Sequence, residues 1–221
     1  MTTPLSTEFC IVRHGETTWN AERRLQGHRN IPLNDLGERQ AVAAGRYLAG
    51  QHAERPFTRL VSSDLERAAR TADLIAAALP GLAPTRQTAL RERCYGGFEG
   101  LTYEEAQAAY PEAYEAFARR IPEVPMPAGG ESLNAFHARV VACLETLAAA
   151  HPGERLILVS HGGVLDILNR FARGLALSAP RDFLIPNAGI NWLVRRDGQW
   201  TIGPWAQTAH LAEVSLDELP G

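Results

Sequence analysis

Twice in this chain a short apolar run ends in a histidine followed by glycine. Phe9-Cys10-Ile11-Val12 leads into Arg13-His14-Gly15-Glu16, and Leu156-Ile157-Leu158-Val159 leads into Ser160-His161-Gly162-Gly163. Short, partly β-branched apolar runs read as buried strands. Each therefore carries a histidine to its carboxyl end, and the second opens a helix whose free N–H groups favour an anion. Strands that alternate with helices indicate an α/β sheet, largely parallel. Ligands of such sheets sit beyond the carboxyl ends of the strands, and both histidines occupy that kind of position.

Between the two echoes the helical signals are regular at first. "PLNDLGERQAVAAGRYLAG" predicts a helix capped by Asn34 or Asp35, with Leu36, Ala43 and Tyr47 on one face. Arg59–Ser63 reads as a second short strand. The helix after it carries Leu65, Ala68, Ala72, Ile75 and Leu79 at helical period, with capping-box spacing between Ser63 and Glu66 and a stop at Pro80-Gly81. "LRERCYGGFEG" is a glycine-punctuated loop, and the stretch from Leu101 to Arg120 is helical with a break at Pro111. After the Pro-rich "IPEVPMPAGGE", a long helix runs from Ser132 to about Ala150, with Leu133, Phe136, Val140, Leu144 and Leu147 facing the core. "GINWLVRRDGQWTI" predicts a hairpin turning at Asp197-Gly198.

Composition narrows the class. The 221 residues suit a single α/β domain over 1–221, with 103–130 as an excursion. A formal net charge of −3 argues against nucleic-acid binding by broad phosphate neutralisation and leaves room for a local cationic pocket. Cys10, Cys94 and Cys143 form no CxxC pair and read as reduced thiols of a cytoplasmic protein. "MTTPLSTEFC" lacks the basic and apolar regions of a signal peptide. No apolar run approaches the roughly 20 residues that span a bilayer. The expected partner is a small molecule, neither nucleic acid nor membrane, and a homo-oligomer stays open.

Chemistry concentrates in a few residues. A lone histidine after a strand is most often structural, but Arg13 beside His14 brings a planar cation that suits phosphate or carboxylate oxygens. Gly15 removes a side chain where something must approach the backbone. Arg67 lies in the first turn of its helix, against the helix dipole, a placement that a bound anion would offset. Glu92 sits between Arg91 and Arg93, either as a surface ion pair or as a general acid. There is no HExxH, no HxH and no acidic cluster, so no metal site is expected.

Taken in order, "RHGETTWN", "SDLERAARTA", "LRERCYGGFEG", "GGES" and "LVSHGG" resemble the histidine phosphatase superfamily, the phosphoglycerate mutase-like family, over roughly Ile11 to Leu211. The resemblance implies a three-layer α/β/α sandwich with a mostly parallel central sheet and a helical excursion over the site. It also implies that His14 is the nucleophile that becomes phosphohistidine and that Arg13, Arg67 and His161 form the phosphate pocket. Asn20 matches a phosphate ligand, Gln26 and Gly27 lie in a segment that closes over the substrate, and Glu92 matches the acid that protonates the leaving oxygen. Many relatives carry Gln where this chain has Arg70.

Two branches of that family differ in the acceptor. Arg119-Arg120 resembles the substrate-binding pair of the cofactor-dependent mutases, though two cations at a helix C-terminus are favourable without any ligand. The loop from Ile121 to Gly130 is short for a mutase, and "PAGGES" and "SHGGVLD" look more like the phosphatase branch. The expectation is metal-independent, cofactor-free hydrolysis of small phosphate monoesters. The alternatives are a mutase, which would need 2,3-bisphosphoglycerate, and an idle binding protein on the same fold. Arg93, Tyr95, Phe98 and the 103–130 excursion are candidates for the substrate wall, each of which packing would explain equally. Cys94 in the catalytic loop raises the question of oxidant sensitivity.

Overall fold

A computed structural model describes residues 5–216. The first four residues of the N-terminal stretch read above, and residues 217–221, lie outside that range. The order is β1 (Ser6–Arg13), α1 (Thr18–Ala21), α2 (Asp35–Glu54), β2 (Arg59–Ser62), α3 (Glu66–Ala77), β3 (Pro84–Arg86), α4 (Tyr103–Ala109) and α5 (Pro111–Ala118). There follow α6 (Leu133–Ala150), β4 (Arg155–Ser160), α7 (Gly162–Arg173), β5 (Ile190–Arg196), β6 (Gln199–Ile202) and α8 (Ala212–Leu216).

The sheet has the order β3-β2-β4-β1-β5-β6. The first four strands are parallel, and β5 and β6 add an antiparallel edge. The β5–β6 turn falls at Asp197-Gly198, where φ values of 51° and 77° supply the left-handed pair that a tight hairpin requires. Strand β3 had no apolar pattern to announce it.

Strand alternation builds the three layers. Phe9 and Ile11 join Leu156 and Leu158 under α6 and α7, whereas Cys10 and Val12 join Ile157 and Val159 under α2 and α3. Strands covered on both faces are apolar throughout, which is why "FCIV" and "LILV" show no polar alternation. The β1–β4 register sets Val12 opposite Val159 and Arg13 opposite Ser160. The two His-Gly turns therefore leave the sheet side by side, and the His14 N–H donates to the Ser160 carbonyl at 2.9 Å.

The helices test the periodicity. In α3 and its flanks Leu65, Ala68, Ala72, Ile75 and Leu79 are all buried, as expected. In α2 the buried face is Gly37, Ala41, Ala44, Gly45 and Leu48, and the face shared by Leu36, Ala43 and Tyr47 is only partly buried. Close approach sets this orientation: a Cβ on Gly45 would lie 3.1 Å from the Ile75 Cα, so small residues face α3 and the larger ones lie at the margin. The Ser63–Glu66 capping box does not form. Leu65 is the N-cap, Ser63 Oγ accepts from the Leu65 N–H, and the Glu66 N–H donates to Asn30 Oδ1 from a neighbouring loop.

The excursion packs on its own small core of Leu25, Phe98, Ala106 and Met126, ringed by Tyr95, Tyr110, Tyr114 and Phe117. Among the described residues no helix is long and apolar enough to cross a membrane.

Candidate active site

At the carboxyl end of β1, His14 is almost fully buried. Its Nδ1 lies 2.7 Å from the Gly15 carbonyl, which only accepts. Nδ1 therefore carries the proton, and Nε2 keeps its lone pair. Burial, followed by the charges of Arg67 and Arg13, holds the His14 pKa well below the ordinary histidine value, and the Gly15 contact opposes this only in part. The free ring is neutral and nucleophilic. Gly15 fits because α2 begins against it: a Cβ there would come within 2.3 Å of the Gly37 carbonyl oxygen.

Around His14 the polar groups are under-satisfied in one consistent sense. Arg13 donates through Nη1 to the Ile185 carbonyl at 2.6 Å, and its buried Nε has no partner. Arg67 donates to the carbonyls of Arg29 and Gly27, both at 2.8 Å, with no carboxylate among its hydrogen-bond partners and Nε also unpartnered. Burial pushes the Arg67 pKa down to about 10, partly offset by Glu92. His161 is fully buried with both ring nitrogens unpartnered, its ring centroid 5.2 Å from that of His14. Burial, with Arg67, His14 and Arg13, keeps it neutral as well. Buried donors without partners are costly, and an oxyanion seated here would accept from the guanidinium groups of Arg13 and Arg67 and from the one ring N–H of His161.

Asn20 completes this wall. Its Oδ1 accepts from the Thr17 N–H and from Asn187 Nδ2, which turns its own NH₂ group away from them in a residue that lines the cleft. Opposite stands Glu92, with only 8% exposure. Its carboxylate accepts from the Arg93 N–H at 2.8 Å and from the Gly163 N–H at 3.0 Å. Gly163 is required for that contact, since a Cβ there would fall 2.1 Å from Glu92 Oε1. The loop behind Glu92 is clamped by Arg139, which donates to the carbonyls of Ala89, Arg91 and Glu92 and pairs with Glu131 at 2.8 Å.

The result is a cleft of about 240 Å³ that sets a neutral histidine among cations and opposite a carboxyl group. A model of the histidine phosphatase superfamily (branch 1) matches residues 9–208. The chain belongs to the histidine phosphatase superfamily. It is 41% identical to an Arabidopsis thaliana phosphoglycerate mutase-like protein 4 over 210 residues, which is 95% of this chain and 89% of that one. It is 40% identical to an Arabidopsis thaliana metal-independent phosphoserine phosphatase, covering 95% of this chain and 85% of the relative. The solved Entamoeba histolytica phosphoserine phosphatase, in complex with phosphoserine, superposes with a TM-score of 0.82 at 25% identity, over 93% of this chain and 99% of that one. As a member of the superfamily, this chain is a phosphomonoesterase.

Seen as a histidine phosphatase, the chain brings His14, Arg13, Arg67, Glu92, Asn20, Gln26 and Gly27 to one cleft, with His161 beside it. It does not bring the remaining expected residues there as side chains. Arg93 is buried with its guanidinium on the Glu131 carbonyl, and it reaches the site only through its backbone N–H. Arg119 is 69% exposed and pairs with Glu115 on its own helix. Arg120 is held by Asp166 and the Leu177 carbonyl. Both arginines terminate α5, where local acceptors and a nearby carboxylate satisfy them. Arg70 is likewise engaged by Glu38. Phe98 is packing, fully buried in the excursion core, whereas Tyr95 does line the cleft. Burial raises the pKa of the half-buried Cys94 thiol, which works against thiolate oxidation.

Arg24, Tyr103, Arg181 and Ile185 also line the cleft. Tyr103 falls within the 103–130 excursion, but no sequence signal pointed to Arg24, Arg181 or Ile185. A wider groove of about 700 Å³ between α2 and residues 209–214 shares no residue with this cleft. Among the described residues no group of three His, Cys, Asp or Glu side chains is placed to hold a metal ion.

Proposed function

We propose that this chain hydrolyses small phosphate monoesters in two steps through a phosphohistidine at His14. The observation that carries the reading is the His14 ring: Nδ1 is tied to the Gly15 carbonyl, Nε2 is free, and unpartnered groups of Arg13, Arg67 and His161 surround it. In the first step Nε2 bonds to phosphorus as the ester P–O bond breaks, and the proton of a protonated Glu92 passes to the leaving oxygen. In the second, Glu92 takes a proton from water as the water oxygen bonds to phosphorus, and His14 leaves. Arg13, Arg67, His161 and the Asn20 amide hold the non-bridging oxygens throughout. Fixed donors of this kind stabilise the transferring group without reorganisation, which is most of what phosphoryl transfer asks of a protein.

The relative described as a metal-independent phosphoserine phosphatase supports a reaction with no metal and no cofactor. Phosphatase is preferred to mutase because Arg119 and Arg120, which together with the "RER-YG" resemblance supported a mutase, are turned to Glu115 and Asp166. A cleft of about 240 Å³ favours short-chain substrates. Three free thiols support a reducing, cytoplasmic setting. The test is phosphate release from p-nitrophenyl phosphate in excess EDTA. Turnover is expected to persist in EDTA and to vanish in His14→Ala; loss of turnover in EDTA would contradict the metal-free reading.

A further inference from the structure

Arg181 lines the cleft with His14 and Glu92 and is not used by the reaction above. Its Nε donates to Asp166 Oδ1 at 2.9 Å. Asp166 is buried, and its other oxygen accepts from Arg120 and Arg170. Burial works to raise the Asp166 pKa, but Arg120, Arg181 and Arg170 outweigh it and keep the carboxylate ionised. One carboxylate thus anchors three guanidinium groups, leaving an excess of positive charge at one edge of the site.

The three arginines differ in what remains free. Arg170 is fully buried and also donates to the Ala176 carbonyl, and Arg120 also donates to the Leu177 carbonyl. Arg181 is 47% exposed, and its two Nη groups have no hydrogen-bond partner among the described residues. Its charge is felt inside the cleft, where it adds to burial in lowering the Arg13 pKa. The other cations there have tasks already. Arg13 and Arg67 face the phosphoryl position, and Arg24 is taken up by Glu22, Glu105 and the Gly100 carbonyl.

With Nε fixed on Asp166, Arg181 offers its Nη pair end-on, a planar fork that matches a carboxylate in bidentate geometry. Beyond the phosphoryl group, a cleft of about 240 Å³ has room for a chain of a few carbons. We infer that Arg181 is a specificity residue, and that its Nη pair binds a carboxylate on the alcohol half of the phosphomonoester. This rests on the phosphatase reaction proposed above and narrows its substrate to short carboxylated phosphomonoesters.

The test compares kcat/KM for O-phosphoserine and phosphoethanolamine, which differ only in the carboxylate, in the native chain and in Arg181→Gln. The native chain should favour phosphoserine by roughly 5–10-fold, the scale of a bidentate charge pair at a half-exposed guanidinium. Arg181→Gln should bring the two within about threefold, and Arg181→Lys, which keeps the charge and loses the fork, should fall between. A ratio taken within one protein does not depend on its active fraction, and the native comparison needs no variant. Parity in the native chain, or a preference that survives Arg181→Gln, would overturn the inference while p-nitrophenyl phosphate turnover left the reaction standing. A native chain that turns over none of the three esters would contradict the reaction, and the inference with it.

Discussion

Glu92 accepts the Gly163 N–H at 3.0 Å, so the carboxyl group assigned the leaving-group proton is fastened to the first turn of α7, the helix that His161 precedes. The glycine is a structural requirement, since a Cβ at 163 would fall 2.1 Å from Glu92 Oε1. Gly163→Ala should therefore displace the acid without touching the nucleophile. General acid catalysis contributes about 10²–10⁴-fold, and most where the leaving group is poor. The expected loss in kcat/KM is about 10²-fold for an alkyl phosphate and much smaller for p-nitrophenyl phosphate. Equal losses on both esters would show that Glu92 is not the proton donor.

Arg139 is the brace for the same group. Its five hydrogen bonds go to the carbonyls of Ala89, Arg91 and Glu92 and, as a bidentate pair, to the carboxylate of Glu131, which also accepts the Cys94 N–H. Arg139→Met would leave the partly buried Glu131 carboxylate without its cation and the three carbonyls without a shared donor. A loss of about 2–4 kcal/mol in unfolding free energy is expected from denaturant titration. A change below about 0.5 kcal/mol, the usual range for surface positions, would mean that the clamp contributes little.

The two histidines make stability depend on pH in a definite direction. Both have pKa values well below the ordinary histidine value in the folded protein, chiefly through burial. The unfolded chain takes up these protons near pH 6.5 while the folded chain does not. Their contribution is thus fully present above about pH 6.5 and is lost as the pH falls below it. Denaturation midpoints measured from neutral pH down to about 5 should fall more steeply for the native chain than for His14→Ala; parallel curves would contradict a neutral buried His14.

Arg67 is a buried cation whose hydrogen bonds go to carbonyls, and an anion is what it lacks. Any ligand that binds only the folded state stabilises it by mass action, about 2.7 kcal/mol at a concentration 100 times Kd. Inorganic phosphate should raise the Tm of the native chain in a concentration-dependent way. In Arg67→Met that rise should largely disappear, and an undiminished rise would place the bound anion elsewhere.

The parts of the site legible in the sequence are those set by local pattern. "FCIV" and "LILV" had to be doubly covered strands, and their ends had to bring His14 and His161 together once the strands paired in register. Helix α3 showed its face because its neighbours accept Leu65, Ile75 and Leu79 at ordinary packing distance. Helix α2 misled because its inner face was selected for smallness, as Gly37 and Gly45 show, and hydrophobic periodicity does not report smallness. The fates of the arginines were not legible at all. Whether Arg120 or Arg181 reaches the cleft depends on Asp166, 46 residues from the first and 15 from the second. Asn30 likewise meets the Glu66 N–H only through the fold, in place of the Ser63–Glu66 box that the spacing offered.

The most direct measurement is peptide mass spectrometry on the native chain quenched in alkali, where phosphohistidine survives, during turnover of p-nitrophenyl phosphate. A phosphoryl group on the peptide that carries His14, absent in His14→Ala, is the expected result. Rapid turnover with no phosphorylated residue, or a phosphoryl group on any residue other than His14, would contradict a covalent intermediate at the end of β1.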